Sequence, residues 1–355
     1  MSDRDVKCQG VKVCHSDKFC FTRNVPSYNN MLLRLLSLSA LAYLLTVQAA
    51  PNSATPLSVQ ALSTQKPTPV LVLGPYSTKT VTLKNKEMDS SDHRMFVQYP
   101  TGDFPADTKF PLISFAHGLG NSAGNDYNGL FDGLVSFGYI VVAHYACVNG
   151  CADDWASLPD DPWAFAHYYK QQLLAIEWAK ESARTGTEGF TNLDPTAPVG
   201  VSGHSMGGQS ALFAASYGNA TDHNISTAVL HHAYTHEYPG LTLPYLAFTG
   251  QEDYVALPSQ TYEFYDASPE GTVKGLSDKK TAGHFECEDD FQLWPSYNPL
   301  TPQYTAAWFK VHLEEKREEF GVDFYDLIYG DSETSICAGK EDGEMKRCEM
   351  TPPAE

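Results

Sequence analysis

Basic side chains are scarce in this sequence of 355 residues, which holds 24 lysines and arginines against 43 aspartates and glutamates. The formal net charge of -19 repels polyanions, which argues against nucleic acid or an anionic membrane surface as a partner. Charged residues make up 19% of the chain, too few for a coiled coil or a disordered protein. A hydrophobic content of 42% is enough for a substantial core, so we expect a globular protein with a neutral or cationic substrate.

Long uninterrupted apolar runs are also lacking. Leu35 to Leu45 covers 11 residues, whereas a bilayer-spanning helix needs about 20. Because Arg34 precedes this run and the small-residue pattern Val47 to Ala49 follows it, residues 31–49 are typical of a cleaved secretory signal peptide. This predicts a secreted protein without a stable membrane anchor; an uncleaved anchor or a buried helix is the alternative. Signal peptides normally start a chain, so we interpret residues 1–30 as an upstream extension, an artefact of the assigned start.

Cysteines are few, and those that precede the signal segment lack the spacing with histidine that is typical of a metal site. In an oxidising compartment we expect disulfides. Cys337 and Cys348 lie in an acidic tail with little core of its own, where a disulfide would add stability. A disulfide between Cys147 and Cys151 could close a short loop, which would leave Cys287 without a cysteine partner.

Strand and helix patterns alternate after a linker rich in proline, serine and threonine at residues 50–69. Short apolar runs predict strands at 111–117, 139–144, 198–202, 227–231 and 245–249. Helical spacing predicts helices at 125–137, 162–184, 207–217 and 304–320. This order predicts an α/β fold over residues 70–330, a mostly parallel central sheet with helices on both faces, followed by an acidic cysteine-containing tail at 331–355.

One pentapeptide indicates the chemistry. Gly203-His204-Ser205-Met206-Gly207 matches the pattern G-x-S-x-G in the context of a strand, a sharp turn and a helix. Such a turn holds the serine in a strained conformation and needs glycine on both sides, because the backbone passes close to its neighbours. We therefore predict that Ser205 is a nucleophile; a glycine turn with an incidental serine is the alternative.

A serine hydroxyl needs a base to take its proton, and in this pattern an acid and then a histidine follow along the chain. The predicted strand at 245–249 runs into Gly250-Gln251-Glu252-Asp253, which makes Asp253 the candidate acid and Glu252 its rival. His284 lies in a small-residue loop after the acid and is the candidate base. His312, in the predicted last helix, is interpreted as a solvated residue.

Acyl transfer also needs donors for the oxyanion. The backbone N–H of Met206, next to the nucleophile, is one candidate. The loop His117-Gly118-Leu119-Gly120 follows the first predicted strand, and the Leu119 N–H is the second; a plain glycine turn is the alternative. This chemistry requires no metal ion and no organic cofactor. An ordinary histidine titrates near about 6.5, so activity is expected to rise through neutral pH.

These motifs resemble those of the cutinase-like polyester hydrolases, serine esterases of the α/β-hydrolase fold. The resemblance rests on GHSMGG, the TGQED turn and the GHF triplet, and extends from about Pro75 to Cys348, including the segments AWFKVHLEE and FYDLIYG. Chlorophyllases and platelet-activating-factor acetylhydrolases are similar in pattern. The resemblance implies a terminal disulfide between Cys337 and Cys348, and it implies that Tyr234 lines the substrate cleft.

The sequence departs from these families at several points. HGLG stands where the bacterial polyester hydrolases carry an aromatic oxyanion residue, and Met206 stands where chlorophyllases tend to have a bulky basic residue. The segment from Cys147 to Pro162 matches neither pattern, and its Trp155 is a second candidate for substrate contact. We expect a secreted, monomeric hydrolase of neutral esters, with cutin-like polyesters among the candidates. The alternatives are a chlorophyllase or a lipase or phospholipid esterase, and a catalytically inactive hydrolase-fold binding protein.

Overall fold

The computed structural model describes residues 12–14, 20–22, 71–88, 93–119, 121–144, 168–289 and 298–354. The chain divides into a unit of residues 1–66 and a unit of residues 67–355. In the first unit, Lys12–Cys14 (β1) pairs antiparallel with Cys20–Thr22 (β2). The predicted signal segment, the linker and the loop from Cys147 to Cys151 lie outside the described residues.

The second unit contains a sheet of nine strands. In chain order, the first five strands are Ser77–Lys84 (β3), Arg94–Thr101 (β4), Leu112–Ala116 (β5), Ile140–His144 (β6) and Val199–His204 (β7). The other four strands are Ile225–His231 (β8), Tyr245–Glu252 (β9), Lys274–Gly283 (β10) and Met345–Thr351 (β13). A separate hairpin pairs Glu318–Glu319 (β11) with Val322–Asp323 (β12).

Helices connect most of these strands. The described helices are Ala123–Asp126 (α1), Asn128–Ser136 (α2), Tyr168–Arg184 (α3), Met206–Ala214 (α4), Asn219–His223 (α5), Pro258–Ala267 (α6), Thr301–His312 (α7) and Phe324–Tyr329 (α8). Within the described parts of the chain, no helix combines the length and the apolar character that crossing a bilayer requires.

The spatial order of the sheet is β13-β10-β9-β8-β7-β5-β6-β4-β3. Its central strands, from β10 to β6, run parallel, while β13, β4 and β3 are antiparallel to their neighbours. The parallel strands are buried along nearly their whole length, as expected where both faces of a sheet are covered. The chain therefore has the α/β fold with a mostly parallel central sheet that the sequence predicts.

Two hydrophobic clusters cover the sheet, because neighbouring residues of a strand point to opposite faces. Leu112 belongs to the cluster that contains the buried side chains of α3, α4 and α6. Ile113 belongs to the cluster that contains those of α2, α7 and α8. The helices thus pack against both faces of the sheet and fix the ends of the parallel strands relative to one another.

Three predicted helices have different bounds in the structure, and the one predicted at 207–217 is Met206–Ala214. The helix predicted at 125–137 is interrupted at Tyr127, which separates α1 from α2 and whose side chain is buried. The helix predicted at 304–320 begins earlier and ends at His312. Its last predicted residues instead form the β11–β12 hairpin, because Phe320 and Gly321 have φ of 57° and 75°, the combination that a tight hairpin turn requires.

The segment that the sequence separates as a tail contributes to the sheet. Strand β13 pairs with β10 from Lys274↔Thr351 onward, and Ile336 and Met345 are buried. Cys337 and Cys348 form the disulfide expected for this segment, and Cys287 is a buried free cysteine. The segment therefore has core contacts with the domain that the sequence pattern does not reveal.

Removing the disulfide by replacing Cys337 and Cys348 with serine should destabilise the domain. The bond closes a loop with a sequence separation of 11 residues, for which chain entropy predicts a loss of about 3 kcal/mol. The midpoint of thermal unfolding, followed by circular dichroism, measures the loss. A reductant should lower the midpoint of the natural protein toward that of the variant and leave the variant unchanged; equal midpoints without reductant would contradict the prediction.

Candidate active site

The parallel strands place their carboxyl ends at one edge of the sheet, and the candidate residues lie there. Ser205 follows β7, His232 follows β8 and Asp253 follows β9. His284 follows β10, and Leu119 lies in the loop after β5. Residues far apart in sequence therefore converge because their strands are neighbours in the sheet.

Ser205 has the strained conformation that its motif predicts, with φ of 57° and ψ of -120°. A Cβ on Gly203 would overlap the backbone of Gly207, and one on Gly207 would overlap the carbonyl of Ala116. Only glycine fits at these two positions, so the tight turn depends on both. The amide N–H of Ser205 donates to the carbonyl of His231 at 3.0 Å, and its carbonyl accepts from Tyr234 N–H at 3.0 Å, which fixes the turn from both sides.

Ser205, His284 and Asp253 form a continuous chain of hydrogen bonds. His284 Nε2 lies 2.9 Å from Ser205 Oγ, and His284 Nδ1 lies 2.9 Å from Asp253 Oδ2. Because a carboxylate only accepts, Nδ1 carries the proton and Nε2 accepts from the serine hydroxyl. The serine and the histidine are each 7% exposed and the aspartate 1%. This arrangement allows a proton to pass from the serine hydroxyl to the imidazole.

The structure distinguishes the candidates from their rivals. Glu252 is exposed at the end of β9, whereas Asp253 turns inward, where its Oδ1 accepts from the amides of Val255 and Ala256 at 2.9 and 2.8 Å. The interpretation of His312 as a solvated residue is wrong. It is half-buried, its ring packs on Trp308 and its Nε2 lies 2.8 Å from the Tyr329 hydroxyl, because α8 folds back against α7.

Burial and hydrogen bonding set the charges of the acid and the base. Burial lowers the pKa of His284, and the hydrogen bond to Asp253 only partly opposes this. Burial would raise the pKa of Asp253, but hydrogen bonds from His232 and His284 hold it well below its usual value. At neutral pH the site therefore contains an ionised aspartate and a neutral histidine, the starting state for general-base catalysis.

His232 and Glu286 are two buried residues of the site that sequence reasoning missed. His232 Nδ1 lies 2.9 Å from Asp253 Oδ2, and His232 Nε2 lies 3.0 Å from Glu286 Oε2. They are 0% and 2% exposed. The available signals were a histidine at the end of a buried strand and a carboxylate two positions after the candidate base.

A second missed group attaches the loop of the base to the strand of the nucleophile. His204 Nε2 donates to the backbone carbonyl of His284 at 2.8 Å. Its Nδ1 lies 2.9 Å from the Tyr127 hydroxyl and 3.0 Å from a carboxylate oxygen of Glu288. Tyr127 in turn accepts from the Gly118 amide at 3.0 Å, so the same group also holds the loop after β5.

The two candidate oxyanion donors lie on neighbouring elements. Leu119 packs against a small apolar cluster formed by Ala116, Tyr168 and Met206. Among the described residues, no acceptor takes the amide N–H of Met206 or that of Leu119. Within this part of the chain, neither amide is therefore committed to another acceptor.

Tyr234 and Trp155 are the two candidates for substrate contact. Tyr234 is half-buried, and its amide N–H donates to the carbonyl of Ser205, which places it beside the site. Its ring packs edge-on against His236 at 5.0 Å between centroids. Trp155 lies outside the described residues.

Donor atoms of His232, Asp253 and His284 all lie within 4.8 Å of one another, a set that a metal ion could use. The nitrogen–oxygen separations of 2.9 Å are those of hydrogen bonds. An ion at this point would have to replace the proton that His284 Nδ1 donates to Asp253. Hydrogen bonds from the two histidines to Asp253 therefore account for these distances.

No protein-family model matches the chain, and a search of the curated proteins finds no significant match.

Proposed function

We propose that this protein is a secreted serine hydrolase of carboxylic esters with an α/β-hydrolase fold. The observation that supports it most is the hydrogen-bonded chain from Ser205 through His284 to Asp253, with the serine at a φ of 57°. These are the geometric relations by which a nucleophile, a base and an orienting acid are recognised on unrelated folds. The disulfide in the described structure is consistent with an oxidising, extracellular compartment.

In this mechanism Ser205 attacks the ester carbonyl while His284 Nε2 takes the hydroxyl proton. Asp253 holds the imidazole by its Nδ1 and stabilises the cation that forms. The amides of Met206 and Leu119 stabilise the oxyanion, and His284 then protonates the leaving alcohol. Water attacks the acyl-enzyme by the same sequence and releases the acid.

The substrates that we propose are neutral esters, including cutin-like polyesters, because the acidic chain repels anions. A panel of short nitrophenyl esters, triglyceride, phospholipid, cutin-like polyester and chlorophyll would rank the candidate substrates. A fluorophosphonate probe, with the modified peptide identified by mass spectrometry, tests the nucleophile directly. Label on Ser205 together with turnover of one ester class supports the proposal; a folded protein that takes no label would contradict it.

The activity should persist into mildly acidic solution. A general base must be neutral, and burial lowers the pKa of His284 below its ordinary value of 6.5. Since kcat/KM falls only as pH drops through this lowered pKa, the midpoint of its acid limb should lie below 6.5. A profile of kcat/KM against pH with a short nitrophenyl ester measures it, and a midpoint above this value would exclude His284 as the base in this environment.

A further inference from the structure

Asp253 has two imidazole partners. His284 Nδ1 and His232 Nδ1 both lie 2.9 Å from the same oxygen, Oδ2. The other oxygen, Oδ1, accepts two backbone amides. All the acceptor positions of this carboxylate are therefore in use, and its negative charge is shared between two histidines.

The second imidazole, His232, is held as a cation. Its Nδ1 faces Asp253 and its Nε2 faces Glu286 at 3.0 Å, so each ring nitrogen points at a carboxylate oxygen, which only accepts. Burial by itself lowers the pKa of His232, but the hydrogen bonds to Asp253 and Glu286 raise it to about 9. The ring of His284 differs because its Nε2 faces a serine hydroxyl instead of a second carboxylate.

The backbone holds this cation firmly in place. His232 has a φ of 46°, in the left-handed region, and its amide donates to the carbonyl of Phe248 on β9 at 2.9 Å. Glu286 lies two residues after the candidate base, and its amide donates to the Gly283 carbonyl at 3.2 Å. The ion pairs thus join the loops after β8, β9 and β10.

We propose that His232 is a positioning residue of this site, an imidazolium held between Asp253 and Glu286. It neutralises part of the charge of Asp253. It thereby influences the pH at which His284 loses its proton and becomes a base. This inference rests on the proposed function for its effect on turnover. Removal of the cation should make His284 retain its proton to higher pH, because a positive charge near an imidazole disfavours protonation. The ring centroids of the two histidines are 6.2 Å apart; burial is the main cause that lowers the pKa of His284, and the charges of His204 and then of His232 lower it further.

Other ionisable groups also face the pair, and His204 lowers the pKa of His284 in the same direction as His232 does. His204, at the end of β7, lies 4.9 Å from the ring of His284 and 6.5 Å from that of His232. Burial lowers the pKa of His231 well below its usual value, so this neighbour on β8 is neutral. Further ionisable groups nearby are Asp278 on β10 and Glu288, which contacts His204, and Cys287 and Tyr304 lie close to Glu286.

The variant that removes the cation without leaving a lone buried carboxylate is His232→Asn combined with Glu286→Gln. Asparagine accepts the left-handed backbone at this position and keeps a donor toward Asp253, while the pair of charges is removed together, so that no lone carboxylate is left buried. The matched control is His223→Asn with Glu177→Gln. This second histidine–glutamate pair, with its nitrogen–oxygen distance of 2.9 Å, joins α5 to α3.

The experiment compares profiles of kcat/KM against pH, from about pH 4.5 to about pH 9, for the natural protein and both double variants. The midpoint of the acid limb should rise by up to about one pH unit in the His232/Glu286 variant, because the loss of the Glu286 anion offsets part of the loss of the cation, and it should coincide with that of the natural protein in the control. An unmoved limb in an active variant overturns the proposal, since a merely structural role would lower activity without shifting the midpoint.

A titration of the natural full-length protein by NMR, with ¹⁵N-labelled histidine, gives a readout that needs no activity and no variant. The His232 ring should keep both protons at neutral pH while the His284 ring carries one. A neutral His232 at neutral pH overturns the proposal. If the protein hydrolyses no ester and takes no fluorophosphonate, the proposed function fails, and the titration still decides the charge state of His232.

Discussion

Replacing Ser205 with alanine should lower kcat for ester hydrolysis by about 10⁴-fold or more. The change removes the only atom that forms the acyl bond, while the amides of Met206 and Leu119 and the rest of the cleft stay in place. KM should therefore change little, since ground-state binding does not depend on the attacking oxygen. Steady-state kinetics on a short nitrophenyl ester, with fluorophosphonate labelling in parallel, measure both effects.

Ser202→Ala is the matched control for this prediction. Ser202 lies on β7, three residues before Ser205, and is likewise buried, so the two variants delete the same atom from nearby buried positions. The control should keep kcat and labelling within a factor of about two, because a neutral buried hydroxyl away from the site affects packing more than chemistry. Near-normal turnover by the folded Ser205→Ala protein would falsify the nucleophile assignment.

Replacing Asp253 with asparagine should have the second largest effect, a fall in kcat of about 10⁴-fold, as in other serine triads whose aspartate becomes asparagine. An amide cannot accept from the amides of Val255 and Ala256 on one side and from two imidazoles on the other. The NH₂ group of the new side chain would therefore face a donor, and His284 would lose both its orientation and its counter-charge. The variant should also melt at a lower temperature, because the His232 cation loses one of its two carboxylate partners.

Glu252→Gln distinguishes this role from a general loss of acidic charge. This substitution also replaces a carboxylate by an amide, one residue earlier in the chain, but on a side chain that is exposed to solvent. Its kcat and melting temperature should equal those of the natural protein. A larger loss of kcat from Glu252→Gln than from the Asp253 variant would show that the acid has been assigned to the wrong carboxylate.

The central strands of the fold could be predicted because they are continuous apolar runs. The antiparallel strand β3 could not, since its exposure alternates and most of its residues are threonine or lysine. Strand β10 carries Asp278 and three lysines, yet it is a sheet strand because its neighbours β9 and β13 supply hydrogen bonds on both sides. Where tertiary pairing decides the structure, composition is a weak guide.

The candidate triad could be predicted because its parts follow strand ends in a fixed order. His232 and Glu286 could not, because a buried ion pair requires two loops to meet and neither residue belongs to a local motif. The lowered pKa of His284 was missed for a similar reason, since burial and the neighbouring His204 become visible only once the loops are assembled. Sequence patterns thus reveal the reacting groups, whereas the electrostatics that tune them depend on distant contacts.

The position of β13 has a consequence for handling the protein. This strand protects the outer edge of β10, and β10 leads directly into the loop that carries His284. Trimming the chain at Gly330 would uncover a row of free backbone donors and acceptors, which invites intermolecular strand addition. Proteolysis near the carboxyl terminus should therefore make a monodisperse sample aggregate. Catalytic activity should decline at the same time, because the loop that carries His284 is no longer held by a fully paired strand.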